Sequence, residues 1–290
     1  MSMNVAFIGL GAMGYPMAGH LSQAGFNTTV YNRNSAKANS WISEFPAGSM
    51  EVSPKQAAKN AKVVLLCVGN DQDVRSVVYG EDGVFAGMSP GDILIDHTTT
   101  SAELAQELFN AAKDLDIQFL DAPVSGGQAG AENGKLTVML GGESDTYQAV
   151  ISLLDCYSQK HQLMGASGSG QLTKMVNQIC IAGIVQGLSE AIHFAGKAGL
   201  DTNEVMSVIS KGAAQSWQME NRSSTMAKGQ FDFGFAVDWM RKDLGIVLDE
   251  AKNNGANLPI TALVDQFYGQ VQSNGGGRSD TSSLITLLNK

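Results

Sequence analysis

The sequence is poor in the residues that build metal centres and disulfide frameworks. Its three cysteines, Cys67, Cys156 and Cys180, have no C-x-x-C spacing, and its four histidines, His20, His97, His161 and His193, form neither H-x-x-x-H nor H-E-x-x-H. No zinc site is expected, and the thiols, each set among apolar neighbours such as Leu65, Leu66 and Val68, read as buried and free. Positive charge is also scarce: 19 Lys plus Arg stand against 28 Asp plus Glu, a net charge of -9. That balance repels nucleic-acid phosphates and anionic membranes, so neither is an expected partner. Proline is rare at 6 residues, and charged residues make up only 16% of the chain against 43% hydrophobic, which excludes a disordered or collagen-like polymer. No window reaches about 18 uninterrupted apolar residues. The most apolar stretch, 179–198, is broken by Gln186, Glu190, His193 and Lys197. The start, MSMNVAFIGLGAMG, has no basic segment followed by a small-residue cleavage site, so a cytoplasmic location is the expectation.

What the chain does have is length for two domains, 290 residues, and a change of pattern partway along. The first half alternates short apolar runs with amphipathic segments. Strands are expected at Val5–Ile8, Thr28–Tyr31, Val63–Val68, Ile93–Asp96, Phe119–Asp121 and Leu136–Leu140, with helices such as 13–24, 36–45 and 102–115 between most of them. Right-handed crossovers make that an α/β doubly wound, mostly parallel sheet. After about Gly165 only helical patterns remain, at 171–196, 202–212, 239–253 and 261–273. The reading is a sheet domain over residues 1–165 and an all-α domain over 166–290. The long helical pattern is apolar on several faces, which implies burial and a homodimer or homotetramer.

Gly9-Leu10-Gly11-Ala12-Met13-Gly14 is a G-x-G-x-x-G between an apolar strand and a helix, the context in which the pattern reads as a dinucleotide site of the Rossmann type and not only as a glycine turn. NAD-binding versions place an acid at the end of the second strand; here stand Asn32, Arg33 and Asn34. A cation and amide donors suit a 2'-phosphate, so NADP is favoured and NAD remains possible, with a solvated surface arginine as the alternative. Val68 and Asn70 after the third long strand, and Thr99 after the next, fall where carboxyl ends of parallel strands line a bound dinucleotide, although Asp71 and Thr100 are also good helix-capping types. Ser125-Gly126-Gly127 can present successive N–H groups and a hydroxyl to a carboxylate, or can be a plain turn. Lys174 and Asn177 share a helix face, and Lys242 lies on a later helix. If the first face meets a cleft, Lys174 is placed to exchange a proton with a substrate hydroxyl; on spacing alone both lysines read as solvated. Trp217, Phe231, Phe233, Phe235, Trp239 and Met240 are either the walls of a small pocket or core.

Taken together these motifs resemble, over nearly the whole chain, the β-hydroxyacid dehydrogenase family typified by 3-hydroxyisobutyrate dehydrogenase. Residues 7–18 are similar to its N-terminal signature, 121–127 to its substrate loop, and Gly168-Ser169-Gly170 leading to Lys174-Met175-Val176-Asn177 to its catalytic helix. Lys242-Asp243-Leu244 and the tail 275–284 fit the same pattern. The resemblance implies Lys174 as acid/base, Ser125, Gly126, Gly127 and Asn177 holding a carboxylate-bearing hydroxy acid or semialdehyde, and Lys242 reaching coenzyme or substrate. Members with Asn-Arg after the second strand look like NADP users. The presence of Lys174 weighs against two rivals, a non-catalytic dinucleotide-binding scaffold and an imine reductase.

Overall fold

The computed structural model describes residues 3–288, which divide after Lys174 into two compact units. The first holds nine strands: β1 (Asn4–Ile8), β2 (Asn27–Tyr31), β3 (Ser49–Met50), β4 (Val63–Leu66), β5 (Ile93–Asp96), β6 (Gln118–Asp121), β7 (Val124–Ser125), β8 (Leu136–Gly142) and β9 (Ser158–Gly165). Their order is β3-β2-β1-β4-β5-β6-β8-β7, with β9 paired to β8. The six from β3 to β6 run parallel, the doubly wound half, all but β3 expected from the sequence; β8 turns antiparallel to β6 and β7.

The strands are apolar on both faces because both faces are covered. Val5 and Phe7 of β1 belong to one buried cluster with Met17, Leu21 and Trp41, while Ala6 and Ile8 belong to the opposite one with Val64, Leu66, Leu104 and Leu108. The chain order reverses between β1 and β4, so the loops after these two strands flank the crevice where such sheets take ligands.

The long helix Ser169–Lys197 begins in the first unit, because its first turns bond to the strand ends there, and continues into the second. Its buried stripe includes Gln171, Lys174, Gln178 and Ser189 among the apolar positions. It is the one described helix long and apolar enough to cross a membrane; the polar groups in its buried stripe are those of a helix packed against protein. The second unit also contains helices Val237–Asn254 and Pro259–Ser273, packed with the long helix around Val185, Met240, Leu244 and Tyr268, and helices Thr202–Ile209 and Trp217–Ala227, which pack around Leu188, Ile192, Met206, Met219 and Met226.

Several elements escape the sequence pattern, among them β3 and β7, each only two residues long. β9 is an exposed edge strand without apolar alternation, and Trp217–Ala227, capped by the Ser216 hydroxyl, buries only Met219 and Met226. One expectation is corrected. The cysteines are free, but Cys180 is exposed and Cys67 and Cys156 are half-buried. Cys180 shares an uncovered face of the long helix with Leu172, Val176 and Ile184, so apolar neighbours in sequence did not mean burial.

Candidate functional site

The glycine loop can be tested position by position for what each glycine serves. A Cβ on Gly14 would sit 2.0 Å from the Gly9 carbonyl oxygen and 2.9 Å from the Phe7 ring, so the fold itself forbids a side chain there. A Cβ on Gly11 would meet nothing within 4 Å. Packing does not demand that glycine, and the space beside it is open, as close approach of a pyrophosphate would require. The helix that follows, Gly14–Gln23, has Met13 at its N-cap and no side chain capping it; Tyr15 N–H is bonded to the Gly11 carbonyl and Pro16 has none, so the Gly14 N–H and those of the glycine loop before it are the ones that can face an anion. The residues present therefore fit a pyrophosphate.

Asn32, at the end of β2, accepts from the Leu10 N–H at 2.9 Å and donates to the Asn34 carbonyl at 2.9 Å, tying the glycine loop to the turn. Asn34 caps the next helix through the Ala36 N–H. Arg33 is almost fully exposed, with Asp73 at 3.6 Å as its ion-pair partner. Asn70 accepts from the Asp73 N–H and caps helix Asp71–Val78. Asp71 and Thr100 are not the caps: Asp71 accepts from the Ser101 N–H and hydroxyl, and Ser101 caps helix Ala102–Asp114.

Val68 donates its N–H to the Thr98 hydroxyl at 3.1 Å, which joins the loops after β4 and β5. Beneath them lie two buried ionisable groups, Asp96 and His97, from the strand end expected to line the dinucleotide. Asp96 accepts from the Thr98 N–H at 2.9 Å, and its burial pushes the carboxyl up from 3.8 to about 7. His97 is held between the Ala122 carbonyl (2.7 Å) and the Tyr157 hydroxyl (3.0 Å), and burial takes it down to about 4, so it is neutral at physiological pH.

At the end of β6 the Asp121 carboxylate accepts from the N–H groups of Gly168 (2.7 Å) and Gln171 (3.0 Å), docking the start of the long helix on the sheet. The contact is close: a Cβ on Gly170 would lie 2.5 Å from the Met139 carbonyl oxygen and 2.7 Å from Asp121 Oδ2. Desolvation raises the Asp121 pKa, and the helix N–H groups oppose that rise.

This docking places Lys174. It is 7% exposed, and its Nζ donates to the Val124 carbonyl at 2.9 Å. Val124 immediately precedes the predicted substrate loop, in which Ser125 is half-buried and Gly126 and Gly127 have φ of 134° and 62°. The solvated-lysine reading is thereby overturned for Lys174, and the glycines hold a conformation that L side chains rarely adopt. Within the first unit the structure thus brings together Lys174 and the Ser125–Gly127 loop, and separately the glycine loop with Asn32.

In the second unit Asn177 Nδ2 donates to Gln178 Oε1 at 2.8 Å, and Gln178 Nε2 donates to Asp243 Oδ2 at 2.7 Å. Lys242 Nζ lies 3.1 Å from Asp243 Oδ1, so Asn177 and Lys242 are linked through Gln178 and Asp243, motif residues to which the sequence assigned no role. Of the residues weighed as pocket walls, Met240 is fully buried core, whereas Trp217 and Phe233 are exposed and sandwich the Arg222 guanidinium at 4.9 and 5.0 Å.

Residues 4–165 match the family model described as the NAD binding domain of 6-phosphogluconate dehydrogenase, and residues 168–288 match that described as NAD-binding of NADP-dependent 3-hydroxyisobutyrate dehydrogenase. The chain is 60% identical over 286 residues to an uncharacterized oxidoreductase of Shewanella frigidimarina (strain NCIMB 400), covering 99% of this chain and 98% of that protein. It is 33% identical over 286 residues to the 2-hydroxy-3-oxopropionate reductase of Escherichia coli (strain K12), covering 99% and 97%. Among solved structures, the 3-hydroxyisobutyrate dehydrogenase of Mycobacterium tuberculosis with L-serine is similar at a TM-score of 0.90 and 28% identity, covering 100% of both chains.

Proposed function

The chain belongs to the 3-hydroxyisobutyrate dehydrogenase family of NAD(P)-dependent hydroxyacid dehydrogenases acting on CH–OH groups, and from that premise we propose that it interconverts a short 3-hydroxy acid and its semialdehyde, or reduces a small aldehyde acid, with NADP(H) as the favoured coenzyme. When bound, the dinucleotide supplies or accepts the hydride at the carbinol carbon. The chain's own part is the proton and the carboxylate. In oxidation a neutral Lys174 accepts the hydroxyl proton at Nζ; in reduction its ammonium returns a proton to the carbonyl oxygen. The N–H groups of the Ser125–Gly127 loop and the Ser125 hydroxyl hold the carboxylate, which fixes the carbinol carbon in one place. Asn177 and Lys242 orient substrate and coenzyme.

The observation that carries the reading is the placement of Lys174, a buried lysine whose Nζ is bonded to the carbonyl that immediately precedes the Ser125–Gly127 loop. Asn32 and the solvent-facing Arg33 support the 2'-phosphate preference, since an acid is missing where NAD proteins place one. The uncovered apolar positions Leu172, Val176 and Ile184 on the long helix support a homodimer or homotetramer.

The test is NADPH and NADH oxidation at about 340 nm with tartronate semialdehyde, succinate semialdehyde and glyoxylate, and the reverse reaction with 3-hydroxy acids. Lys174→Ala should lower turnover by roughly two to four orders of magnitude while the dinucleotide still binds. An unaltered rate in that variant would remove Lys174 from the chemistry.

A further inference from the structure

Gln171 is 1% exposed, and both ends of its side-chain amide are engaged. Nε2 donates to the Thr98 carbonyl at 2.8 Å, and Oε1 accepts from the Thr100 N–H at 3.0 Å. Its own backbone N–H is the one that docks on Asp121. The loop it grips is in turn tied to its surroundings, with the Thr98 hydroxyl holding the Val68 N–H and Asp96 holding the Thr98 N–H. Thr98 and Thr100 lie just past the end of β5, where their backbone groups are buried and lack ladder partners; an amide satisfies a donor and an acceptor at once, which an apolar or charged side chain cannot.

Three residues along the same helix face is Lys174. A helix transmits rotation and translation rigidly over one turn, so whatever fixes Gln171 against Thr98–Thr100 also fixes Lys174 Nζ against the Val124 carbonyl. The connected path runs from the Val68 and Thr98–Thr100 loops, through one amide and one turn of helix, to the lysine and the substrate loop. Every hydrogen bond in it lies within the first unit.

We propose that Gln171 is a positioning residue for the reaction, setting Lys174 relative to the loops that hold the coenzyme. The inference rests on the acid/base reading of Lys174. It goes beyond a stabilising contact, because its loss should alter proton transfer in molecules that remain folded. A displacement of about 1 Å at a reacting group costs on the order of a hundredfold in rate.

The experiment compares Gln171→Met, which fills the space without polar atoms, and Gln171→Glu, which keeps the acceptor but places a carboxylate against the Thr98 carbonyl. Each is assayed with NADPH and whichever semialdehyde the wild type turns over, with NADPH affinity from its fluorescence and kcat measured across pH. Gln171→Met should lose about tenfold to a hundredfold in kcat, keep NADPH affinity within about threefold, and displace the pH profile of kcat. Gln171→Glu should regain rate toward low pH, where its carboxyl carries a proton to donate to Thr98; if the Met variant fails to fold, this rescue carries the test. An unchanged kcat in either variant, or a loss that follows only the folded fraction with the wild-type pH profile, overturns the proposal. Lys174→Ala, run alongside, separates the two readings. If it keeps full activity, the acid/base role fails whatever Gln171 does. If it is inactive while Gln171→Met keeps its kcat and pH profile, only the positioning role fails.

Discussion

Replacing Asp96 by Asn should stabilise the protein relative to wild type, and increasingly so as pH rises. Asp96 is fully buried at the end of β5, in register with the buried Asp121 of β6, and its carboxyl titrates near 7 in place of 3.8, chiefly through desolvation. A carboxyl with a raised pKa in the fold keeps a proton that the unfolded chain releases. Its contribution is therefore greatest below about pH 4 and is lost as pH climbs through about 7. Asn at this position still accepts from the Thr98 N–H but cannot ionise. The difference between variant and wild type should grow by about 1.4 kcal/mol for each pH unit between roughly 4 and 7, reaching about 4 kcal/mol in all. His97 acts in the opposite sense. Its depressed pKa makes the fold lose stability as pH falls from 6.5 toward about 4, so the two slopes oppose each other in the wild type and hide the effect in any single pH series. The comparison removes that masking, since His97 is present in both proteins. Urea unfolding of each at pH 5, 6, 7 and 8, followed by fluorescence and circular dichroism, gives the difference directly. A difference that is flat, or that shrinks with rising pH, would refute the assignment of a protonated carboxyl beneath the loops after β4 and β5.

Asn32→Asp keeps the acceptor for the Leu10 N–H, loses the donor to the Asn34 carbonyl, and places a negative charge where a 2'-phosphate would lie. The ratio of kcat/KM for NADPH over NADH should fall by about tenfold or more, and an unaltered ratio would show that Asn32 does not set the preference. Asp121→Asn turns one of the two acceptors that dock the long helix into a donor facing a backbone N–H. It should lower stability by about 1–3 kcal/mol in urea unfolding and reduce turnover with it; wild-type stability would show the docking is held by other contacts.

The parallel half of the sheet was legible in the sequence because burial on both faces writes itself as short continuous apolar runs, and the helices between them carry the 3.6-residue period. The glycine loop was legible for the same local reason: a tight turn into a helix permits few residue types at Gly9 and Gly14, so its chemistry is contained in six consecutive positions. Lys174, Asn177 and the Ser125–Gly127 loop were named from spacing and family resemblance, but spacing alone reads Lys174 as a solvated helix residue and leaves the loop open between an anion nest and a plain turn. β9 could not be read, since an exposed edge strand has no face to mark with apolar residues.

Local pattern, then, determined the fold class, the dinucleotide loop and the candidate residues. Tertiary structure alone decided what those residues touch. Gln171 looks like any helical glutamine until the chain brings Thr98 and Thr100 to it from more than seventy residues away. Asp96, His97, Gln178 and Asp243 are ordinary polar letters until burial gives them perturbed protonation or obligatory partners. The reason is physical: periodicity records which side of an element faces the core, whereas the free energy of a buried polar group depends on the particular donor or acceptor that a distant part of the chain supplies.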